Sequence, residues 1–402
     1  MKKSPWLIVL VAALGYFVDA YDLILFVVVR KSSLIELGIP EVDLVSTGLQ
    51  LFNYQHIGLI VGGIFFGILG DKRGRISVLF GSILLYSMAN IANGFVQSLP
   101  VYQLLRFVAG IGLAGELGAG ITLVAETLPK DKRGYGTMIV AATGALGATM
   151  AGLVGDVTPW RTAYFIGGGM GLLLLLLRIG TFESSMFENV KQSNAERGNF
   201  LKIFTSPRQL KKYLSCIAVA IPIFFVISIL MQLAPELAKS LKIKGEIANG
   251  RAVMFVYFGL MLGDLSCGYL SQLLRSRRKA IFTFLTLWIT SAMIYLNASE
   301  ISANAFLGIC ALMGFSSGFW ISLLTTAAEQ FGTNIRATVS TTIPNFARGA
   351  VVPISMAFQF LKDKMGMINA AMLIGLCCFG LAFFANYTLK ETFGKDLDFV
   401  EE

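Results

Sequence analysis

Long apolar stretches alternate with short polar loops along the whole chain, and this pattern predicts a series of membrane-spanning helices. Each stretch has about 20 residues or more, which is the length a helix needs to cross the hydrocarbon core of a bilayer. Predicted spans one to six cover residues 6–30, 47–69, 76–97, 101–127, 135–156 and 161–180. Predicted spans seven to twelve cover residues 213–237, 251–273, 279–298, 303–328, 338–361 and 366–388.

A polar and basic segment separates spans six and seven and divides the chain into two parts. We expect an N-terminal bundle over residues 1–185, a cytoplasmic linker over 186–212 and a C-terminal bundle over 213–402. The two parts share residues at one constant sequence offset, in the pairs Gly115 and Gly318, Glu126 and Glu329, and Arg133 and Arg336. The expected fold class is an all-α membrane protein with twelve transmembrane helices in two pseudo-symmetric six-helix bundles. Repeated halves of this kind enclose a site at their interface near the bilayer midplane.

Composition agrees with a membrane protein and excludes several other classes. Of the 402 residues, 55% are hydrophobic and only 14% are charged, whereas a soluble domain carries about 25% charged residues. Most of the 33 Lys and Arg fall in predicted loops on the side of the N-terminus. By the positive-inside rule this places both termini in the cytoplasm, so the net charge of +9 reflects topology and does not indicate nucleic-acid binding. We expect a multi-pass protein of a bacterial inner (plasma) membrane.

The reactive side chains do not form the pattern of an enzyme. The five cysteines lie in apolar spans, His56 is the only histidine, and no ligand spacing for a metal is present. The sequence also has no nucleophile–base constellation and no nucleotide-binding loop. We therefore expect no enzymatic activity, no metal and no cofactor. A role for His56 in proton transfer has no visible partner to support it.

Three carboxylates lie inside predicted spans and are the candidates for proton coupling. Asp19 and Asp22 interrupt span one, and because they are three residues apart they share one side of a helix. An acid in the bilayer centre costs at least about 2.5–3.5 kcal/mol by insertion scales, so such residues usually face an internal cavity. Glu116 lies in a glycine-rich part of span four, where close packing needs no carboxylate. Glu116 either couples protons or forms a structural ion pair.

Two arginines inside spans are candidates for substrate binding. At a rise of about 1.5 Å per residue, Arg106 of span four reaches a depth at which it would neutralise Asp22. Arg348 lies near the middle of span eleven, between two prolines, and a permanent cation there needs a counter-charge. A substrate carboxylate or phosphate would provide it, and the alternative is an internal acid such as Asp264. The remaining predicted substrate-binding residues are Tyr54, Trp320 and Asn345.

Several loops carry motifs of a known transporter family. The loop after span two, Gly67-Ile-Leu-Gly-Asp71-Lys-Arg-Gly74-Arg75, closely resembles the signature loop of the major facilitator superfamily. The segments Arg106 to Gly110, Glu126 to Gly134 and Glu183 to Glu188 resemble further motifs of that superfamily. The resemblance implies a cytoplasmic latch that holds the outward-open state, formed by Gly67, Asp71, Gly74, Arg75, Glu126 and Arg133. In the second half the loop copy lacks the aspartate, and Glu329 and Arg336 remain.

Finer motifs indicate the branch of the superfamily. Tyr16 to Leu23 is similar to an element of phosphate:proton symporters, whereas Gly115-Glu116 resembles metabolite:proton, sialate and aromatic-acid:proton symporters. Span five has no Gly-Pro dipeptide, so the glycine-proline motif of drug:proton antiporters is incomplete. This weighs against efflux. The resemblance implies a monomeric secondary-active transporter that imports a small organic anion with protons by alternating access. The alternatives are a phosphate:proton symporter, proton-coupled efflux of small molecules, and a membrane nutrient sensor.

Overall fold

The structure is a computed structural model that describes residues 5–128, 133–178, 204, 206–332 and 335–394. Eleven helical segments within these ranges are long and apolar enough to cross a membrane. The all-α class predicted from the sequence is therefore confirmed. Most of the predicted linker over residues 186–212 lies outside the described residues, and a helix begins within the predicted linker, at Pro207.

The N-terminal bundle has six spans. Its helices are α1 (Pro5–Glu36), α2 (Leu44–Arg73), α3 (Arg75–Asn93), α4 (Leu99–Leu113), α5 (Glu116–Thr127), α6 (Arg133–Val157) and α7 (Trp160–Leu177). Span four consists of α4 and α5, and the helix is interrupted at Ala114 and Gly115. Gly115 is required there because a side chain would collide with Val78, Ser82 and Phe66.

The C-terminal bundle repeats this plan with more interruptions. Its helices are α8 (Pro207–Phe225), α9 (Ala234–Ser240), α10 (Asn249–Leu273), α11 (Arg277–Asn297), α12 (Ala303–Ser316), α13 (Trp320–Gln330), α14 (Arg336–Gly349), α15 (Val351–Met365) and α16 (Met367–Thr388). Span seven continues from α8 through a π-helical segment, Val226–Met231, into α9. Pro222 precedes this segment, and a proline inside a helix removes one backbone hydrogen bond and clashes with the preceding turn.

Span ten is formed by α12 and α13, and span eleven by α14 and α15. Span eleven is the predicted span that does not appear among the apolar segments. Its first helix carries buried polar side chains, including Thr342, Asn345 and Arg348. Such a helix is stable in a membrane because it faces protein and not lipid.

The two bundles meet along two pairs of helices. Span two packs against span eleven, and span five packs against span eight. Small residues allow the first pair to approach closely, since a methyl group added to Gly63 would lie only 2.9 Å from Cβ of Asn345. The two contacts enclose the middle of span one between the bundles. We call the side on which span one begins the N-side and the opposite side the far side.

The bundles are also joined by polar contacts on the far side. Arg30 of span one donates to Glu236 Oε1 at 2.6 Å and to the carbonyl of Gln232 at 3.3 Å. Asn249, at the start of α10, donates to the carbonyl of Val27 at 3.0 Å. These bonds cross from one bundle to the other and close the far side of the interface.

Candidate functional site

The centre of the interface holds an ion pair between the bundles. Asp19 is fully buried on span one, and its Oδ2 lies 3.8 Å from Nη2 of Arg348 on span eleven. Arg348 also donates to Oδ1 of Asn345 at 3.3 Å. The amide of Asn345 in turn donates to the carbonyl of Ala114 at 2.8 Å, at the interruption of span four. Three predicted residues, Asp19, Asn345 and Arg348, are therefore brought together, and they connect both halves.

Asp22 lies one helical turn from Asp19 and is also fully buried. Neither of its carboxylate oxygens has a hydrogen-bond partner within the described ranges. Gly167 of span six faces this carboxylate, and any side chain there would occupy the space of Oδ1. Asp22 is thus a fully buried acid that forms no ion pair within the described ranges.

Arg106 does not form the ion pair with Asp22 that its depth in span four predicted. The guanidinium donates to the side-chain oxygen of Gln55 and, at 3.4 Å, to the hydroxyl of Tyr164. It also lies 4.9 Å from the centre of the Phe26 ring. Depth along a helix cannot identify the partner, because Gln55 and Tyr164 belong to spans two and six.

Glu116 forms a buried ion pair that the sequence did not reveal. Arg178, at the end of span six, donates to both carboxylate oxygens of Glu116, and its Nη1–Oε2 distance is 2.9 Å. The same guanidinium reaches the carbonyls of Val11 and Leu79 at 3.4 Å. Arg178 therefore ties spans one, three and four to span six. Arg178 lies near the end of the predicted span six, and the sequence does not show that its side chain points inward, because that direction depends on tertiary packing.

A small cavity of about 30 Å³ lies between the bundles, and its walls come from spans one, five, eight and ten. Polar groups in its wall come from Tyr16 of span one, Tyr257 and Asp264 of span eight, and Trp320 of span ten. Trp320, which we predicted as a substrate-binding residue, lies in this wall, and its role in binding stays a prediction. Oδ1 of Asp264 accepts a hydrogen bond from the backbone N–H of Ile321 at 3.3 Å. Asp264 does not pair with Arg348, which faces Asp19 instead.

The structure does not place Tyr54 beside Asp19, Asn345 and Arg348 at the bundle interface. The Tyr54 side chain is 41% exposed on the outside of span two, whereas the neighbouring Gln55 is fully buried and contacts Arg106. Four consecutive polar residues cover every direction around a helix, so the sequence could not identify the inward one. His56 is buried, and its Nδ1 lies 2.8 Å from the carbonyl of Phe52.

The predicted latch is described only in part. Gly74 joins α2 to α3 with a φ of 101°, a conformation that favours glycine, and a methyl group added to Gly67 would lie 3.4 Å from Cα of Thr338 on span eleven. Four side chains of the predicted latch lie outside the described part of the chain: Asp71, Arg75, Glu126 and Arg133.

In the second half, both predicted residues have partners within the C-terminal bundle. Glu329 pairs with Arg277 at 3.4 Å and accepts a hydrogen bond from Thr392 at 2.7 Å. Arg336 donates to the carbonyls of Ala328 and Phe331, each at 3.3 Å. These bonds stabilise the N-side end of α13 inside one bundle.

Comparison with known proteins identifies the class to which this fold and interface belong. The model of the Major Facilitator Superfamily matches residues 11–355. The chain therefore belongs to the Major Facilitator Superfamily of transporters, and it is not an enzyme.

Individual relatives agree with this assignment. The chain is 26% identical to a probable 4-methylmuconolactone transporter of Cupriavidus pinatubonensis, over 100% of this chain and 93% of the relative. It is 28% identical to a sialic acid transporter of Escherichia coli, over 49% of this chain and 48% of the relative. The crystal structure of a D-xylose–proton symporter superposes with a TM-score of 0.71 at 16% identity, over 97% of this chain and 99% of that one. The last comparison supports the fold alone.

Proposed function

We propose that this protein imports a small organic anion together with protons, by alternating exposure of the site between its two bundles. The observation that carries this proposal is the buried contact of Asp19 with Arg348 across the bundle interface. Arg348 is the cation that an anionic substrate would bind, and Asp19 is the anion that already occupies it. The substrate and Asp19 therefore compete for one guanidinium.

This competition links substrate binding to proton binding. With Asp19 ionised and Arg348 charged, the pair is neutral as a whole. Addition of an anion alone would leave one negative charge in a low-dielectric site, which is unfavourable because the charge has lost its hydration. If Asp19 takes up a proton when the anion displaces it, the site remains neutral. The pair therefore favours the entry of one proton with each negative charge of the substrate.

Asp22 is the proposed second proton site. It lies one turn farther along span one, is fully buried and forms no ion pair within the described ranges. A proton held there reaches Asp19 over a short distance on the same side of the helix. We assign Glu116 a proton-coupling role only if its contact with Arg178 breaks during transport, because a carboxylate held at both oxygens has no free site for a proton.

The charge of Arg348 and the names of the relatives support the proposed substrate class. A sialic acid transporter and a 4-methylmuconolactone transporter are named for organic compounds. In the proposed orientation, the N-side faces the cytoplasm of a bacterial cell, as the excess of positive charge in the N-side loops favours. One chain forms the whole interface site, which supports function as a monomer.

A ligand-induced thermal-shift screen with organic acids, phosphate, sugars and amino acids tests the substrate class. Organic acids should raise the melting temperature of the wild-type protein, whereas neutral sugars should not. Arg348→Gln should weaken binding of the acid by about 10- to 100-fold, because a hydrogen bond to a charged group contributes about 1.5–3 kcal/mol. Arg161→Gln is the matched control, since Arg161 pairs with Glu36 away from the interface. Equal affinities in the two variants would exclude Arg348 as the anion anchor. If phosphate alone stabilised the protein, the substrate would be phosphate and not an organic anion.

A further inference from the structure

The cavity beside the Asp19–Arg348 pair combines three aromatic rings with one carboxylate. Tyr16 belongs to the N-terminal bundle, while Tyr257, Asp264 and Trp320 belong to the C-terminal bundle. Trp320 is held by an edge-to-face contact with Phe224, with 5.8 Å between ring centres. The other walls are small or aliphatic residues of spans one, five and eight. Such a wall suits a planar ring better than a compact, fully hydrated anion.

The position of Asp264 is fixed by two helices. Gly318, in the interruption of span ten, packs directly against the backbone of Gly263 and Asp264, so no side chain fits there. The interruption brings the first turn of α13 to Asp264, whose Oδ1 accepts the N–H of Ile321. A carboxylate can accept about four hydrogen bonds, and this single backbone donor leaves most of that capacity unused. Asp264 is 5% exposed, and it lines the cavity.

Tyr16 connects this cavity to the anion site. It lines the cavity, and it stands three residues before Asp19 on the same helix, so both side chains lie on the side of span one that faces Arg348. A molecule that extends from Arg348 to Asp264 would therefore pass along the Tyr16 ring. The present volume of about 30 Å³ holds only about one or two water molecules. Because Tyr16 and Trp320 belong to different bundles, the cavity widens when the bundles separate.

We propose that this cavity is the subsite for a ring of the substrate, and that Asp264 accepts a hydrogen bond from a hydroxyl or N–H group on that ring. This inference rests on the proposed function, because Arg348 must hold the carboxylate at the other end. The substrate is then a planar cyclic carboxylate with a hydrogen-bond donor remote from its carboxyl group. An acid without that donor leaves the buried Asp264 unsatisfied, which costs about 1–3 kcal/mol. This corresponds to a preference of about 5- to 100-fold for the donor-bearing acid.

Binding of benzoate, 3-hydroxybenzoate, 4-hydroxybenzoate and hexanoate to the purified full-length protein tests the proposal. The wild-type protein should bind one of the hydroxybenzoates at least about fivefold more tightly than benzoate, and hexanoate most weakly. Asp264→Asn keeps an acceptor for the N–H of Ile321 but removes the charge, so it should reduce the preference for the hydroxyl group while leaving benzoate affinity unchanged. Arg161→Gln, away from the interface, is the control and should retain the preference for cyclic acids and for the hydroxyl group. If Asp264→Asn does not fold, the order of affinities in the wild-type protein decides.

The outcomes separate this inference from the proposed function. The Asp264 subsite would be overturned if the wild-type protein bound benzoate and both hydroxybenzoates with equal affinity. It would also be overturned if Asp264→Asn lowered the affinity for all three acids by the same factor. Proton-coupled transport of hexanoate without any preference for a ring would overturn the ring subsite and leave the proposed function intact. A clear hydroxyl preference without proton movement would support the subsite and contradict the coupling.

Discussion

Asp19 and Arg348 form a buried pair between the bundles, Glu116 and Arg178 form one within the N-terminal bundle, and Asp22 has no such partner. The three arrangements differ in what they contribute. A pair inside one bundle stabilises that bundle in every conformation, whereas a pair between bundles must change when the bundles move. A buried acid without an ion-pair partner is the group that the proposed function uses as a further proton site. We therefore expect substitutions of the three acids to affect stability and coupling differently.

Asp19→Asn and Asp22→Asn should each uncouple transport. Either variant removes a site for a proton without changing the size of the side chain, so the substrate should still exchange across the membrane while accumulation against a gradient is lost. The measurement is counterflow exchange compared with gradient-driven uptake of the same labelled acid. Normal accumulation by both variants would exclude these two acids as obligatory proton carriers.

Glu116→Gln should lower stability because it leaves Arg178 charged, buried and without its acid. Removal of one partner of a buried pair costs about 3–5 kcal/mol, and replacement of both by apolar residues is much less harmful. The melting temperature of Glu116→Gln should therefore fall well below that of the double variant Glu116→Leu/Arg178→Leu. If Glu116→Gln is as stable as the wild type but uncoupled, Glu116 is a proton site and the structural interpretation is wrong.

At the scale of elements, the helix ends determine how the bundles close. On the far side, the end of span one is joined to the end of span seven through Arg30 and Glu236, and the start of span eight is joined to span one through Asn249. Asp156, at the end of span five, packs directly against Gly250 at the start of span eight, so no side chain fits at Gly250. These contacts belong to the state that is closed on the far side, so they must break before a substrate enters from there.

Arg30→Ala should favour opening of the far side. In a background without native cysteines, Val27→Cys is fully buried in the closed state. Its reaction with a membrane-impermeant maleimide added from the far side should be at least about tenfold faster with Arg30→Ala. The charge-reversed pair Arg30→Glu/Glu236→Arg should restore slow labelling. Arg161→Ala removes a far-side pair within one bundle and should leave the rate unchanged; equal rates in Arg30→Ala and Arg161→Ala would contradict the proposed closure.

Glu391, after the last span, makes the stability of span nine depend on pH. Burial raises the pKa of Glu391, but hydrogen bonds from the Ser276 hydroxyl and from the backbone N–H of Arg277 outweigh it and leave the pKa below its usual value. Its contribution to stability is therefore fully present above the pKa of the unfolded chain, about 4.3. It is lost as pH falls through the lower pKa of the folded state.

Glu391→Gln should destabilise the protein by about 1 kcal/mol near neutral pH, as expected for a group that caps a helix N-terminus. The difference in melting temperature between wild type and variant should disappear in acid. Glu41→Gln, on the exposed turn after span one, is the matched control and should show no such difference. A difference that is independent of pH would show that the charge of Glu391 does not stabilise the cap.

At the scale of the whole molecule, the spans were predictable and the partners were not. Apolar length identifies helices that face lipid. Span eleven was also located, although its first helix α14 is too polar to give this signal. The ion pair of Glu116 with Arg178 and the contact of Arg106 with Gln55 depend on how helices rotate about their axes. Tyr54 was assigned to the site for the same reason, although Gln55 is the residue that faces inward. Sequence periodicity is too weak in helices that are apolar on every side to fix that rotation.

The proposed transport mechanism depends on the exchange of Asp19 for a substrate anion at Arg348, with one proton taken up for each negative charge. The most direct measurement is acidification of the lumen of proteoliposomes when 4-hydroxybenzoate is added outside, compared with vesicles that contain Asp19→Asn and with vesicles without protein. The proposed mechanism predicts saturable acidification by the wild-type protein beyond both controls. It also predicts that the amount of labelled acid taken up equals the number of protons that enter. Uptake of the acid by the wild-type protein with no more acidification than in the controls would contradict it.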